Sequence, residues 1–559
     1  LSLSVQRSDI RRSPLAWRPS TRFAWASLLG AGLVALPVLA LALTALSSQA
    51  ASIWPHLAAN VIPYAMADTG LLLLGVGLLC AVIGVGTAWL VTQYEFPGRR
   101  AFEWLLVLPL ALPTYITAYI YVEFLGFQGP LQTALRAATG WRSLRDYWFP
   151  DPRSLIGAIC ILAIVLYPYV YLSVRALFGL QAAAIVEAAR TLGASRGRLF
   201  WRVGLPMARP ALAAGMTLAL LETLNDIGAS EYLGVRSLTL SIYTTWVNRN
   251  SLAGAAQIAC VMLLFVVALI LIERKLRGQR RFALPVRQPR ALSRTPLSGR
   301  SALAASLACT LPVLLGAVLP IVFLGIEVLR RDLWQQFDAA LLRSLANAII
   351  FSGLATGAVI ALGVGIVAAS RQGREPWLPG LARIASLGYA VPGTVLALGL
   401  LVPLAAFDNA FANTVQNLTG VSPGLLLIGS GAALVLAYVV RFLAIAVAGI
   451  ESGLSRISPR IDDAARTLGA SAPEVLRRMH WPLARPAVAA AALLVFVDCL
   501  KELPATLLLR PLNIETLATT VYGHASRGAF EDGALAGLLI VLAGLYPAIR
   551  LARAGGRTG

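Results

Sequence analysis

Apolar runs long enough to cross a bilayer recur from one end of this sequence to the other, and they limit its fold before any motif is read. They lie at roughly 22–46, 66–92, 101–125, 154–178, 206–230, 255–273, 301–329, 344–370, 381–407, 424–450, 482–509 and 533–551. About 20 apolar residues span the hydrocarbon core as a helix, the form in which a lone segment bonds its own backbone. The pattern predicts an all-α polytopic membrane protein of about 12 transmembrane helices. It divides into an N-terminal tail at 1–21, a first six-helix domain at 22–273, a linker at 274–300 and a second six-helix domain at 301–559. Ser48-Gln49-Ala50 would serve as a signal cleavage site, but the preceding run is longer than a leader needs and has a counterpart at 301–329, so it reads as the first span.

A formal charge of +21 would suggest nucleic acid in a soluble protein. With 58% hydrophobic and only 13% charged residues, placement matters more than the sum. Most of the 47 Lys and Arg fall in the N-terminus, the even-numbered loops and the C-terminus. That bias puts both termini in the cytoplasm, multi-pass, and leaves no basic face for nucleic acid. The linker carries Arg274, Lys275, Arg277, Arg280, Arg281, Arg287, Arg290, Arg294 and Arg300 with three prolines, a composition that rests on anionic headgroups rather than crossing them. The five cysteines and three histidines have no metal-ligand spacing, so no metal is assigned.

One polar stretch occurs twice between these runs. Glu187-Ala188-Ala189-Arg190-Thr191-Leu192-Gly193-Ala194-Ser195 leads to Leu205-Pro206, and Asp463-Ala464-Ala465-Arg466-Thr467-Leu468-Gly469-Ala470-Ser471 leads to Trp481-Pro482. Leu192, Leu199 and Val203 share one helical stripe, as do Leu468, Val475 and Met479, which predicts an amphipathic helix at the membrane surface. Gly84-Val85-Gly86 is echoed by Gly363-Val364-Gly365, and Leu112-Pro113 by Val391-Pro392. Two repeats with an even number of spans share one orientation, so a single chain supplies a parallel pseudo-dimer.

This pattern resembles the EAA loop of bacterial ABC importer permeases: Glu-Ala-Ala, three residues, Gly, nine residues, an aliphatic, one residue, Leu-Pro. The first copy fits throughout; the second has Asp463, Met479 and Trp481 at three of the positions. The resemblance implies a type I importer fold in the bacterial inner membrane, with each loop a coupling helix docking into one of two ATPase subunits, a homodimer. It also implies that Gly193 and Gly469 let that partner approach closely. The chain has only Lys275 and Lys501, neither after Gly, so it has no Walker A loop. ATP and magnesium then act on the partner subunits, this chain binds no cofactor of its own, and it is not an enzyme.

Charges within spans are costly and point to function. Glu222 and Asp226 stand four apart, as do Asp498 and Glu502 at the equivalent place in the second repeat, so each pair is predicted to share a helix face. Two readings stand: an acidic gate for a cation, or internal ion pairs with Lys501 beside Glu502 or with Arg441. Glu123 is a fifth acid of the same kind. The runs 108–113, 119–121, 146–150, 166–171 and 222–228 look like those of fused ferric-iron permeases, which implies iron(III) delivered by a periplasmic binding protein. A thiamine or polyamine permease is a second expectation, and a six-plus-six secondary transporter a third.

Overall fold

The computed structural model describes residues 21–180, 189, 191–277, 294–372, 375, 377–455 and 457–556. Among these residues, eleven helices are long and apolar enough to cross a membrane, or twelve when the bent pair Arg99–Ala111 and Thr114–Thr139, meeting at 91°, is counted as one span. Each observed helix overlaps one of the twelve predicted runs. The bend falls at Leu112-Pro113, where Pro113 is extended (φ −60°, ψ 137°). Its echo, Pro392 (φ −58°, ψ 144°), likewise precedes the long helix Gly393–Thr419. Proline at these points has no N–H for the preceding turn, so each chain restarts as a new helix.

Three further irregularities have one cause. Wide five-residue turns at Leu314–Val318, Phe200–Gly204 and Leu476–His480 each end two residues before a proline, Pro320, Pro206 or Pro482. The N–H of Leu319, Leu205 and Trp481 reaches back to the carbonyl of Leu314, Phe200 and Leu476 respectively, one residue further than in a regular helix. The wider turn makes room for the proline ring. In the first case it also frees the Leu315 carbonyl to accept a 2.7 Å hydrogen bond from the Tyr121 hydroxyl.

The described residues form two compact units that do not coincide with the sequence halves. One joins residues 21–40 to Ile349–Leu500 and Leu509–Pro511; the other joins Leu41–Ala348 to Lys501–Leu508 and the chain from Leu512 onward. The opening helix of each repeat therefore packs with the other repeat. In the first unit, a Cβ on Gly399 would stand 2.3 Å from the Pro37 carbonyl oxygen, and one on Gly365 would stand 2.7 Å from Ala26. In the second, a Cβ on Gly316 would stand 2.7 Å from the Ile164 carbonyl oxygen. Hydropathy shows that a helix is buried in lipid or protein but not which neighbour it takes, so the boundary at 274–300 separates the repeats in sequence and not in space.

Within each unit the glycine echo is a helix crossing. A Cβ on Gly84 would lie 2.7 Å from Val170, and one on Gly363 would lie 3.1 Å from Ala446. Leu71, Leu74, Leu78 and Val82 run down the opposite side of Ile62–Gln93, each more than half exposed, a stripe suited to hydrocarbon. At the end of the same helix, Tyr94–Glu95 pairs in parallel with Thr295–Pro296, tying the described end of the linker to this unit. Substituting Gly399→Ala should lower stability by on the order of 1–3 kcal/mol through overpacking against Pro37. A Gly86→Ala control, whose Cβ meets nothing within 4 Å, should melt like the parent. Thermal unfolding in detergent checks both, and equal melting would remove the packing of the opening helix on the second repeat.

Candidate functional site: the doubled polar loops and the broken spans behind them

Each copy of the polar stretch is a helix end followed by a helix start. Gly193 (φ +76°) and Gly469 (φ +80°) adopt left-handed backbone. The N–H of Ala194 reaches the Ala189 carbonyl at 3.0 Å, and that of Ala470 reaches Ala465 at 3.0 Å, the Schellman closure of a helix. Ser195 and Ser471 then open the next turns, their carbonyls accepting from Leu199 at 2.8 Å and Val475 at 3.0 Å. Glu187 and Ala188 lie outside the described residues. Asp463, Ala464 and Ala465 fall in the helix Pro459–Thr467, and Leu205, Pro206 and Pro482 begin the spans that follow.

This geometry corrects the predicted stripe. Leu192 is 87% exposed and Leu468 is 85% exposed, whereas Leu199 and Val475 are buried. The left-handed glycine reverses the chain between them, so one periodicity cannot run through both. It also gives the glycines a different reason for being there: their φ excludes most side chains, while the space a Cβ would enter is open. Behind the first loop a Cβ on Gly204 would stand 2.5 Å from the Trp89 ring. His480, the equivalent residue, is buried in the wide turn and is not the loop residue its polarity suggests.

The intramembrane acids are also rearranged. The helix Leu205–Asn225 stops before Asp226, which is extended (φ −82°, ψ 100°) and accepts the Ala229 N–H at 2.8 Å to cap the short helix Ile227–Tyr232. The helix Trp481–Leu500 stops before Glu502, which accepts the N–H groups of Ala505 at 3.0 Å and Thr506 at 3.1 Å and the Thr506 hydroxyl at 2.8 Å. It caps Pro504–Leu509. Because both helices break, neither Glu222 with Asp226 nor Asp498 with Glu502 lies four apart on one continuous helix. A capping carboxylate replaces the missing turn and satisfies amides that lipid cannot. Lys501 sits in the turn between Leu500 and Glu502. Glu222, Asp226, Lys501, Glu502 and Glu123 belong to one compact unit and Asp498 to the other.

Tyrosines to which the sequence assigns no role surround the first break. Tyr232 donates to Glu123 at 2.7 Å, and Tyr522 donates to Glu231 at 2.7 Å. The Tyr119 ring packs edge-on against Tyr232 at 4.6 Å and against Tyr115 at 5.9 Å. A Cβ on Gly228 would stand 2.8 Å from Tyr115 Cβ and 2.9 Å from Leu503, so the two breaks meet here. Tyr115 and Tyr119 stand one helical turn apart, the signal that would have placed them on one face. Among the described residues no group of three His, Cys, Asp or Glu could hold a metal ion.

Beyond the spans, Asp338, Glu515, Asp532, His524 and Arg527 line a cavity of about 510 Å³ in the same unit. Burial first, then Arg527, holds the His524 imidazole below its ordinary pKa, against the opposing pull of Asp532.

A family described as binding-protein-dependent transport system inner membrane component matches residues 77–278 and, a second time, 361–546. The chain belongs to that family. It is a multi-pass permease of the inner membrane and of the ABC importer class, with the type I fold. The Fe(3+)-transport system permease protein FbpB 2 of Haemophilus influenzae is 25% identical over 481 residues, 85% of this permease and 87% of the relative. The molybdenum transport system permease protein ModB of Escherichia coli is 28% identical over 197 residues, 34% of this permease and 82% of the relative. The sulfate transport system permease protein CysW of Escherichia coli is 28% identical over 240 residues, 43% and 79%.

Two outcomes follow from the site. Asp226→Ala should destabilise the permease by about 0.5–2 kcal/mol through loss of the cap, while Asp226→Asn, which keeps the accepting oxygen, should melt near the parent. Thermal unfolding of the two variants side by side checks the cap. For His524 the folded pKa is depressed, so the unfolded chain binds the extra proton first and stability falls as pH drops below the ordinary histidine range. His524→Asn should flatten that part of the pH–stability profile, and an unchanged slope would remove His524 as its source.

Proposed function

We propose that this chain is the permease of a ferric-iron importer, driven by two ATPase subunits that form a homodimer on the cytoplasmic side. The observation that carries the cargo is coverage. The iron relative matches both repeats as one fused chain, whereas the molybdenum and sulfate relatives each match about a third to two-fifths of it. Charge supports the same choice. Carboxylates embedded at the span breaks suit a cation and would repel a dianion. An organic cation such as thiamine or a polyamine is the second reading that the charge supports.

In this reading iron(III) arrives from a periplasmic binding protein and the loops around Gly193 and Gly469 transmit the ATPase stroke. The positive-inside bias sets both loops and both termini in the cytoplasm. Leu192 and Leu468 supply the contact: each stands on a helix end with more than four-fifths of its surface exposed, an arrangement that suits a partner groove. ATP and magnesium are held by those partners.

The test is uptake of iron by vesicles containing the chain together with its ATPase and binding protein. Uptake should require ATP, resist excess molybdate and sulfate, and fall by roughly tenfold or more in a Leu192→Asp, Leu468→Asp double variant with normal membrane levels. Replacing Gly193 and Gly469 separates the two reasons for glycine. Asparagine tolerates left-handed backbone, so Gly→Asn should preserve uptake if conformation is what matters, and should abolish it if the partner needs the space a Cβ would fill. Iron uptake that proceeds without nucleotide would overturn the assignment.

A further inference from the structure

Around Gly228, buried polar atoms lack a hydrogen-bond partner. The Tyr115 hydroxyl and Ser230 Oγ have none, although both residues are more than nine-tenths buried. The Asp226 carboxyl beside them accepts from the Thr114 side chain and, at Oδ1, from the Ala229 amide. Orphaned polar groups are rare in native interiors, and a cluster of them calls for a guest. Tyr115 packs against Gly228, two residues after the capping acid Asp226, and so does Leu503, the neighbour of the second capping acid, Glu502. The juxtaposition is made possible by Gly228, whose missing side chain leaves room for Tyr115 and Leu503 together.

We infer that Tyr115, Asp226, Ser230 and Glu502 form a transit station for a hard, oxygen-seeking cation. The donors are a phenol, a hydroxyl and two carboxyls, the set that hard cations prefer over nitrogen or sulfur. The station binds weakly by construction. Asp226 gives one oxygen to a helix cap and Glu502 accepts amides with both, so the guest meets a partial coordination shell and keeps water or another carrier ligand. A site on a conduction path must release what it receives, and a complete trio of strong ligands would hold it.

This inference rests on the cationic cargo proposed above but is tested apart from it. The probe is terbium(III), a hard trivalent ion whose luminescence is sensitised by an aromatic ring beside it. It is titrated into the purified permease–ATPase complex in lipid nanodiscs. Wild type should give a saturable signal that gallium(III) displaces. Tyr115→Phe removes a hydroxyl that makes no hydrogen bond, and Asp226→Asn keeps the cap, so both should fold; each should weaken the titration at least tenfold. Glu502→Gln should weaken it as well, whereas Tyr522→Phe, whose hydroxyl serves Glu231, should not. Wild-type titration in Tyr115→Phe and Asp226→Asn, or no saturable signal in the parent, overturns the station. If the same preparation still imports iron, the importer assignment survives that failure. If it binds terbium through Tyr115 and imports no iron, the station stands and the choice of cargo falls.

Discussion

Hydrocarbon offers a backbone amide no partner, so every departure from a continuous helix must be repaired inside the protein. That constraint organises this structure. The wide turns before Pro206, Pro320 and Pro482 repair the register by reaching back one residue further. The breaks at Asp226 and Glu502 repair it with a carboxylate on the exposed amides. Once capping is recognised, an ionisable group within a span need not be balanced by an opposite charge, and Asp226 takes an amide as its partner.

The two repeats use the same devices with different residues. Gly204 is followed by His480 at the equivalent turn, and an aspartate cap by a glutamate cap. The glutamate is longer and engages two amides and a hydroxyl, whereas the aspartate engages one amide and the Thr114 side chain. Duplication within one chain allows such divergence, because a mutation in one copy does not alter the other. The polar loops have drifted less in geometry than in sequence: Asp463 stands where Glu187 does, yet both helices end on a left-handed glycine and the same Schellman bond.

The spans are legible in the sequence because hydropathy and length report directly on the solvent a segment needs. The doubled loop is legible because its residues repeat. The breaks are not, since apolar residues continue through Ile227 and Leu503 and a window average smooths over one acid. Pro504, two residues after Glu502, is the local mark that would have shown a helix starting afresh. The wide turns could be read from their prolines. The tyrosines around Gly228 come from stretches far apart in the chain, so only folding reveals that Tyr115, Asp226 and Glu502 share a neighbourhood. The exchange of opening helices is equally silent, because an apolar helix carries no label naming the neighbour it will pack against.

That exchange has a consequence for how the molecule is made. Residues 21–40 are made before the surfaces that cover Ala26 and Pro37, namely Gly365 and Gly399, which follow more than three hundred residues later. Until then that helix lacks the surface it packs against, as the rest of its own repeat does until Gly316 is made. Neither repeat can close on its own contents, so the packing of each is complete only after the other has been made.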